Sequence, residues 1–499
     1  MKNLFNLLEK CYREDKDKIA ILEENGKMSY GDFYEKSMII AKALDKLKLD
    51  LKKPILVLIK DEGLDLCVFM AILALGGFYV PISSKTPKER LKKILEDTDF
   101  AGIISADAKE NAYINIEEEI RDLKYDKNFK PQNSAIGSDP ALGLFTSGST
   151  GRPKLVLKSH ESILSMCRFF NEDFNFNDNN IFGNQVSFEF DSSLKSIYLC
   201  LYNRASLGLI PTKYFSFPKK IIDLINEFNV DTLIWSTFAL RLMENFKVFS
   251  YKKIEKVKMV MFSGEVIPEK TIRYWMENVK ADYYNVYAPT EYSFNCLYHK
   301  IKADENLNKI PAGKEITGSR VLILDEENRP CKLGEEGDLY LEGPGLAMGY
   351  YGDMEKTRLS FIQNPLEKNF PQIIYKTGDR ALMDENGDVY FKGRRDNQIK
   401  HQGYRIELGE IENSINSQKG VNICGVIFDK EKESLIAFYE GDIEAKELKK
   451  ELKIKLPRHF FPKEIIRLEK LYLNANNKVD RNKLKEIYNE QLRKNNSNN

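Results

Sequence analysis

Three observations predict an α/β fold of layered, mostly parallel sheets for this 499-residue chain. Short apolar runs rich in β-branched residues alternate with stretches of helical periodicity, the order that builds parallel sheets with helices packed on their faces. Residues 55–60 read Ile-Leu-Val-Leu-Ile-Lys, a run typical of a strand buried on both faces. The length also exceeds one hydrophobic core, since cores stop growing near 250–300 residues, so two or three folding units are expected.

The elements follow in order. Ser29 is placed to cap a helix opening at Tyr30-Gly31-Asp32-Phe33. After the strand at 55–60 a helix is expected over 64–75, and Gly76-Gly77 then leads into Phe78-Tyr79-Val80-Pro81-Ile82. The apolar run over 66–82 is the longest, and its glycines and proline mark a buried helix entering a strand rather than a membrane span. Further strands are expected at 101–104, 232–235 and 258–262. No internal repeat is visible, and the Asn/Lys-rich tail over 494–499 is expected to be disordered.

Composition narrows the function classes. Hydrophobic residues make up 42% and charged residues 30%, the balance of a soluble globular protein. Against 75 Asp+Glu stand 76 Lys+Arg, a net charge of +1 that gives no reason to expect nucleic acid or an anionic membrane as partner. The seven cysteines (Cys11, Cys67, Cys167, Cys200, Cys296, Cys331 and Cys424) form no Cys-x-x-Cys pair, which weakens zinc and redox readings and fits a reducing compartment. The first ten residues carry charges and no secretory hydrophobic stretch, so a cytoplasmic protein without membrane insertion is expected.

The chemistry centres on Leu144-Phe145-Thr146-Ser147-Gly148-Ser149-Thr150-Gly151-Arg152-Pro153-Lys154. Glycine permits positive φ and leaves no Cβ between backbone amides and an anion. Successive N–H groups in such a turn form a concave nest for phosphate oxygens, to which the hydroxyls and Lys154 add donors and charge. A flexible Gly/Ser linker is the local alternative. A Walker A loop is excluded, because no Gly-Lys-Ser/Thr ending is present.

Thr146 to Lys154 resembles the signature of the adenylate-forming enzymes, which include acyl-CoA synthetases, luciferases and peptide-synthetase adenylation domains. The resemblance extends in order along the chain. Phe190-Asp191-Ser192-Ser193 resembles the motif whose aspartate grips a substrate α-ammonium group; an Asp191–Lys195 ion pair at i,i+4 is its local alternative. Phe262-Ser263-Gly264-Glu265-Val266 follows, and Asn285-Val286-Tyr287-Ala288-Pro289-Thr290-Glu291 resembles Tyr-Gly-Pro-Thr-Glu. Read without the resemblance, this last segment is a turn that starts a helix. Tyr375-Lys376-Thr377-Gly378-Asp379 matches Tyr-x-Thr-Gly-Asp, residues 393–412 match the family's hinge segment, and Asn474-Ala475-Asn476-Asn477-Lys478-Val479-Asp480-Arg481 resembles its ending.

By this resemblance, ATP meets Thr146, Ser147, Gly148, Ser149, Thr150, Gly151 and Lys154 through its phosphates, Asn285 and Tyr287 through adenine and Asp379 through ribose, and Val286, Ala288, Arg394 and Lys478 also contact the nucleotide. Thr290 touches phosphate, Glu291 holds Mg²⁺ as a hard oxygen ligand, and Lys478 meets the reacting carboxylate, with Thr146, Glu291 and Lys478 the catalytic set. Asp191, Ser192, Lys195, Trp235, Met261, Ser263, Gly264, Val286 and Phe294 line the amino acid pocket. A large amino-terminal domain, residues 1–395, joins at Asp396 a small mobile α+β domain, residues 396–499, and the Gly403 turn lines the route of an incoming thiol.

The implied reaction turns a small amino acid and ATP into an aminoacyl-adenylate and pyrophosphate, then passes the acyl group to a separate phosphopantetheinyl carrier protein. The nearest likeness in the family is to D-alanine–carrier protein ligases and other stand-alone amino acid adenylation enzymes. Several positions depart from the pattern. Leu155, Ala288, Ser83 and Asn477 replace a glycine, a glycine, an aspartate and a glycine; Ser263 stands for a cysteine and Lys195 for an apolar residue. A lysine in the pocket favours an acidic or hydrogen-bonding side chain unless Glu189 or Asp191 pairs with it. The competing readings are an acyl-CoA synthetase for a small carboxylic acid and a non-catalytic nucleotide- or amino-acid-binding homologue.

Overall fold

A computed structural model describes residues 2–105, 113–147, 153–394, 398–430, 432–473 and 479–497. The chain forms two compact units. The first comprises Met1–Ser84, Asp99–Phe145 and Leu155–Arg395; the second comprises Lys85–Thr98, Thr146–Lys154 and Asp396–Asn499.

The first unit is built on three sheets. A nine-stranded sheet runs in the order Lys314–Glu315, Leu297–Lys300, Asp282–Tyr287, Met259–Ser263, Thr232–Ser236, Ile181–Asn184, Ser206–Leu209, Ile19–Glu23 and Gly26–Ser29. Its middle is parallel and its outer pairings are antiparallel. A seven-stranded sheet places Gly349–Tyr350 beside Lys154–Ser159, then Pro140–Thr146, Tyr79–Ser83, Ile55–Ile59, Gly102–Ser105 and Ile114–Asn115. The third sheet, five-stranded, is antiparallel throughout.

Local sequence explains the main elements. Ile55–Ile59 is buried at every position, as an uninterrupted apolar strand between two parallel neighbours must be. Ser29 caps Tyr30–Lys46 through a reciprocal box with Asp32. Gly63–Leu75 is buried nearly all round and stops at Gly76, whose φ of 86° suits the left-handed cap. Among the described residues no helix is long and apolar enough to cross a membrane.

The second unit holds the hairpin Gln398–His401 and Tyr404–Glu407, and the three-stranded sheet Val421–Asp429, Ser434–Gly441 and Glu464–Arg467. Gln402 and Gly403 both have positive φ, as a tight two-residue hairpin turn requires. Besides residues 396–499, this unit takes in the earlier helix Lys88–Asp97. Arg90 of that helix pairs with Glu410 at 2.5 Å and lies over the Phe460 ring. The expected disorder of the tail is corrected: Arg481–Ser497 is one helix, and only the last two residues lie outside the described set. Leu484 and Tyr488 bury into a cluster with Ile427, Ile436 and Phe438, and a helix anchored there propagates through its polar end at one added hydrogen bond per residue.

Candidate active site

Asp191 opens the helix Asp191–Asn203, and its side chain is 9% exposed. Its nearest ionic partner is Lys158 from the strand Lys154–Ser159, and the charge of Lys195, one helical turn on, acts on it as well. The Lys158 ammonium, fully buried, lies 2.6 Å from Asp191 Oδ1 and donates a hydrogen bond, 2.7 Å, to the Thr290 carbonyl. The Lys158 ammonium, with three N–H groups, thus serves both the Thr290 carbonyl and Asp191 Oδ1, while the buried Asp191 Oδ2 has no donor. Burial pushes the Asp191 carboxyl above its ordinary range, while the charges of Lys158 and Lys195 oppose that shift. Sequence reasoning missed Lys158; the available signal was a second cation, after Lys154, set beyond the apolar run Leu155–Leu157 in the same strand.

Thr290 is followed by Glu291, which is fully buried and accepts a hydrogen bond from the Tyr350 hydroxyl at 2.9 Å. No helix begins here: Pro289 to Tyr292 is a turn closed by a bridge between Tyr292 and Leu346, so the helix-start reading is corrected. Among the described residues no group of three or more His, Cys, Asp and Glu side chains gathers as a metal site. A single buried carboxylate still fits Mg²⁺, which is commonly held by one or two carboxylates together with substrate phosphates.

The expected pocket residues separate into two sets. Strand register pairs Ile234 with Met261 and Met261 with Tyr284, while Trp235 pairs with Phe262. Met261, Val286 and Phe294 share one buried cluster. Trp235 belongs to the other, where its ring meets Trp275 edge-on and its indole N–H donates to the Gly183 carbonyl at 3.0 Å. Trp235 thus does not share a surface with Met261, because successive side chains of a strand point to opposite faces. Phe294 holds a φ of 63°, an uncommon conformation for a bulky residue that costs on the order of 1–3 kcal/mol and concentrates at functional sites. Lys195 is fully buried and donates to Asn295 Oδ1 at 2.7 Å, leaving the buried Asn295 Nδ2 without an acceptor. Asn295 carried no sequence signal. Ser192 is half-buried beside Asp191, Ser263 is buried, and Gly264 takes a φ of 113° facing open space.

On the side assigned to the nucleotide, both oxygens of Asp379 have a donor. One oxygen takes a hydrogen bond from Arg394, the other from the Tyr287 hydroxyl, and Arg394 also donates to the Thr377 carbonyl at 3.1 Å. Tyr287 is held well above the ordinary phenol range by burial and by the Asp379 charge, so it acts as a donor. Asn285 donates to the Pro311 carbonyl at 2.7 Å, and Ala288 is half-buried.

In the second unit, Thr146 is buried with its Oγ1 unpartnered, and Ser147 Oγ donates to the Arg405 carbonyl at 2.8 Å. An unpartnered buried hydroxyl suits a ligand oxygen. Lys154 begins its strand half-buried. Gly148, Ser149, Thr150, Gly151, Asp396 and Lys478 lie outside the described residues. Leu155, where the resemblance expects glycine, is accommodated in the first unit by Gly143: a Cβ there would come within 2.7 Å of the leucine.

Comparison with known proteins follows the same lines. The family described as AMP-binding enzyme matches residues 8–351. The D-alanine–D-alanyl carrier protein ligase of Bacillus licheniformis is 29% identical, over 97% of this chain and 99% of its own length. Bacitracin synthase 1 of the same species is 31% identical over 97% of this chain, and tyrocidine synthase 1 of Brevibacillus parabrevis 27% over 97%. This chain spans only 9% and 45% of those two proteins. Among solved structures, an artificially fused adenylation–PCP di-domain protein from Klebsiella oxytoca superposes with a TM-score of 0.82 at 23% identity, covering 94% of each chain. The o-succinylbenzoate CoA synthetase of Bacillus subtilis superposes at 0.85 with 19% identity, covering 97% of this chain and 98% of that one. These superpositions establish the fold.

Proposed function

Because this chain belongs to the AMP-binding enzyme family, and so to the adenylate-forming ligases, we propose that it is an ATP-dependent amino acid–carrier protein ligase. The observation that carries this reading is Asp191: a buried carboxylate with an unfilled acceptor oxygen, at the position the family gives to recognition of an α-ammonium group. The near-complete mutual coverage with a D-alanine–carrier protein ligase supports it.

A substrate carboxylate oxygen bonds to the α-phosphorus of ATP as the bond to the bridging oxygen of pyrophosphate breaks, and the adenylate is then attacked by a carrier thiol. Two anions must be brought together, so the work is positioning and charge neutralisation. Mg²⁺, when bound at Glu291, offsets charge on the phosphates. Thr146, Ser147 and Lys154, with Gly148 to Gly151, donate to phosphate oxygens, and Thr290 adds a further contact. Asp379 and Arg394 exchange part of their mutual pairing for ribose hydroxyls, while Tyr287 and Asn285 border the adenine. Lys478 brings a cation to the reacting oxygens, carried by residues 396–499 pivoting at Asp396 against residues 1–395. D-alanine is the expected substrate. An amino acid with an acidic side chain is the alternative that the unfilled buried donor Asn295 Nδ2 supports.

Pyrophosphate exchange against D-alanine and the twenty common amino acids tests the first step. The reading expects exchange with one or a few of them and fails if none supports it. Offering the adenylate to a phosphopantetheinyl carrier protein or to CoA tests the second step, and acylation of CoA alone would replace the carrier assignment.

A further inference from the structure

The Lys158–Asp191 pair separates two properties that a substrate ammonium group ordinarily supplies together. Lys158 is fully buried and 2.6 Å from Asp191 Oδ1, so the charge of the aspartate is already offset from within the protein. The hydrogen-bonding capacity of the carboxylate is only partly offset, because Lys158 reaches Oδ1 alone and the buried Oδ2 has no donor. An incoming ammonium would gain the hydrogen bond but would meet the like charge of Lys158 on the same carboxylate, and would still give up its hydration. A neutral donor gains the hydrogen bond without that repulsion.

We propose that Lys158 is a positioning residue that makes the α-subsite select for a hydrogen-bond donor rather than for a positive charge, so that α-hydroxy acids are adenylated alongside amino acids. The inference rests on the carboxylate-activating reading above. The step is the same in atoms and electrons: the carboxylate oxygen of the hydroxy acid bonds to the α-phosphorus of ATP, pyrophosphate leaves, and the α-hydroxyl keeps its proton while donating it to Asp191. An acid with neither group leaves Asp191 Oδ2 unfilled, and sites built to hydrogen-bond a substrate OH or NH reject such analogues strongly.

The test is pyrophosphate exchange on matched triplets: D-alanine, D-lactate and propionate; L-aspartate, L-malate and succinate; and the corresponding triplet for whichever amino acid the wider panel favours. The expected result is a kcat/KM for the hydroxy acid within about tenfold of the amino acid, with the unsubstituted acid at least about 100-fold lower. Lys158→Met, which strips Asp191 of its counter-charge and so makes it demand a cation, is expected to lower the hydroxy-to-amino ratio by tenfold or more. A purely structural lesion lowers all three members together and leaves the ratio in place, which would overturn the role of Lys158. Should the variant fail to fold, the wild-type triplets decide alone: a hydroxy acid no better than the unsubstituted acid overturns the proposal. If amino acids exchange and hydroxy acids do not, this inference falls and the ligase reading stands. If no amino acid exchanges but a hydroxy acid does, the amino acid reading falls, and with it the inference that the two classes are adenylated alongside one another. If nothing exchanges, both fall.

Discussion

Asp191 and Asp379 are both buried carboxylates beside a cation, and they are prepared for opposite tasks. Asp379 has a donor on each oxygen, Arg394 on one and Tyr287 on the other. Asp191 has the Lys158 ammonium on Oδ1 and no donor on its buried Oδ2. A carboxylate with a donor on each oxygen has only its remaining lone pairs to offer a ligand, so it gains less on binding. One with an unfilled oxygen gains outright on binding, because a buried acceptor left unfilled costs on the order of 1–3 kcal/mol. Under the proposed function, the amino acid side of the site is thereby set for discrimination and the nucleotide side gains less from each new contact.

The comparison can be broken at several points. The largest effect is expected from a third carboxylate, Glu291, whose charge also acts on Asp191. Glu291→Gln should lower kcat of adenylation by roughly 10²–10³-fold, as loss of a charge-stabilising group typically does, and titrating Mg²⁺ should show a raised requirement. No change in either would remove Glu291 from the metal role.

His160 supplies a control that is half-satisfied without any assigned function. Its Nδ1 accepts from the Leu4 amide at 3.2 Å, while Nε2 is buried without a partner. Burial lowers its pKa from 6.5 to about 4. Below pH 6.5 the unfolded chain takes up a proton that the folded protein refuses until about pH 4, so stability is full above 6.5 and falls through that window. The loss should reach about 3 kcal/mol, at 1.36 kcal/mol per pKa unit. Urea unfolding of wild type and His160→Gln at pH 7.5 and 5 checks it: the variant should lose less stability between the two, and an equal slope contradicts the assignment.

On the nucleotide side, Asp379→Asn should raise the KM for ATP by roughly tenfold to 100-fold, the range of one charge-assisted hydrogen bond, with the KM for amino acid unmoved. The smallest effect belongs to Tyr350→Phe, which removes one hydrogen bond to Glu291 and should cost about 1–2 kcal/mol in kcat.

Much of the architecture was legible because local rules agreed with the global ones. The strand at 55–59, the helix at 63–75 and the Ser29 cap each follow from period, length or capping chemistry. The ordered motifs announced the family. Legibility ended where meaning depended on which face a side chain takes or what lies across a sheet. Trp235 and Met261 sit on neighbouring strands, but one residue of register sends them to different cores. Lys158 finds its partner 33 residues away on a helix, Tyr350 reaches Glu291 across 59 residues, and Lys195 meets Asn295 across 100. No local pattern encodes such pairs. The helix over the tail was hidden because its polar end borrows order from apolar anchors at Leu484 and Tyr488.

The most direct measurement is pyrophosphate exchange by Asp191→Asn, with amino acid and ATP varied separately. A carboxylate that reads the α-substituent predicts a fall in kcat/KM for the preferred substrate of roughly tenfold to 150-fold, reflecting the 1.5–3 kcal/mol of a hydrogen bond to a charged group, with the KM for ATP unchanged. Equal damage to both parameters, or none to either, would contradict it.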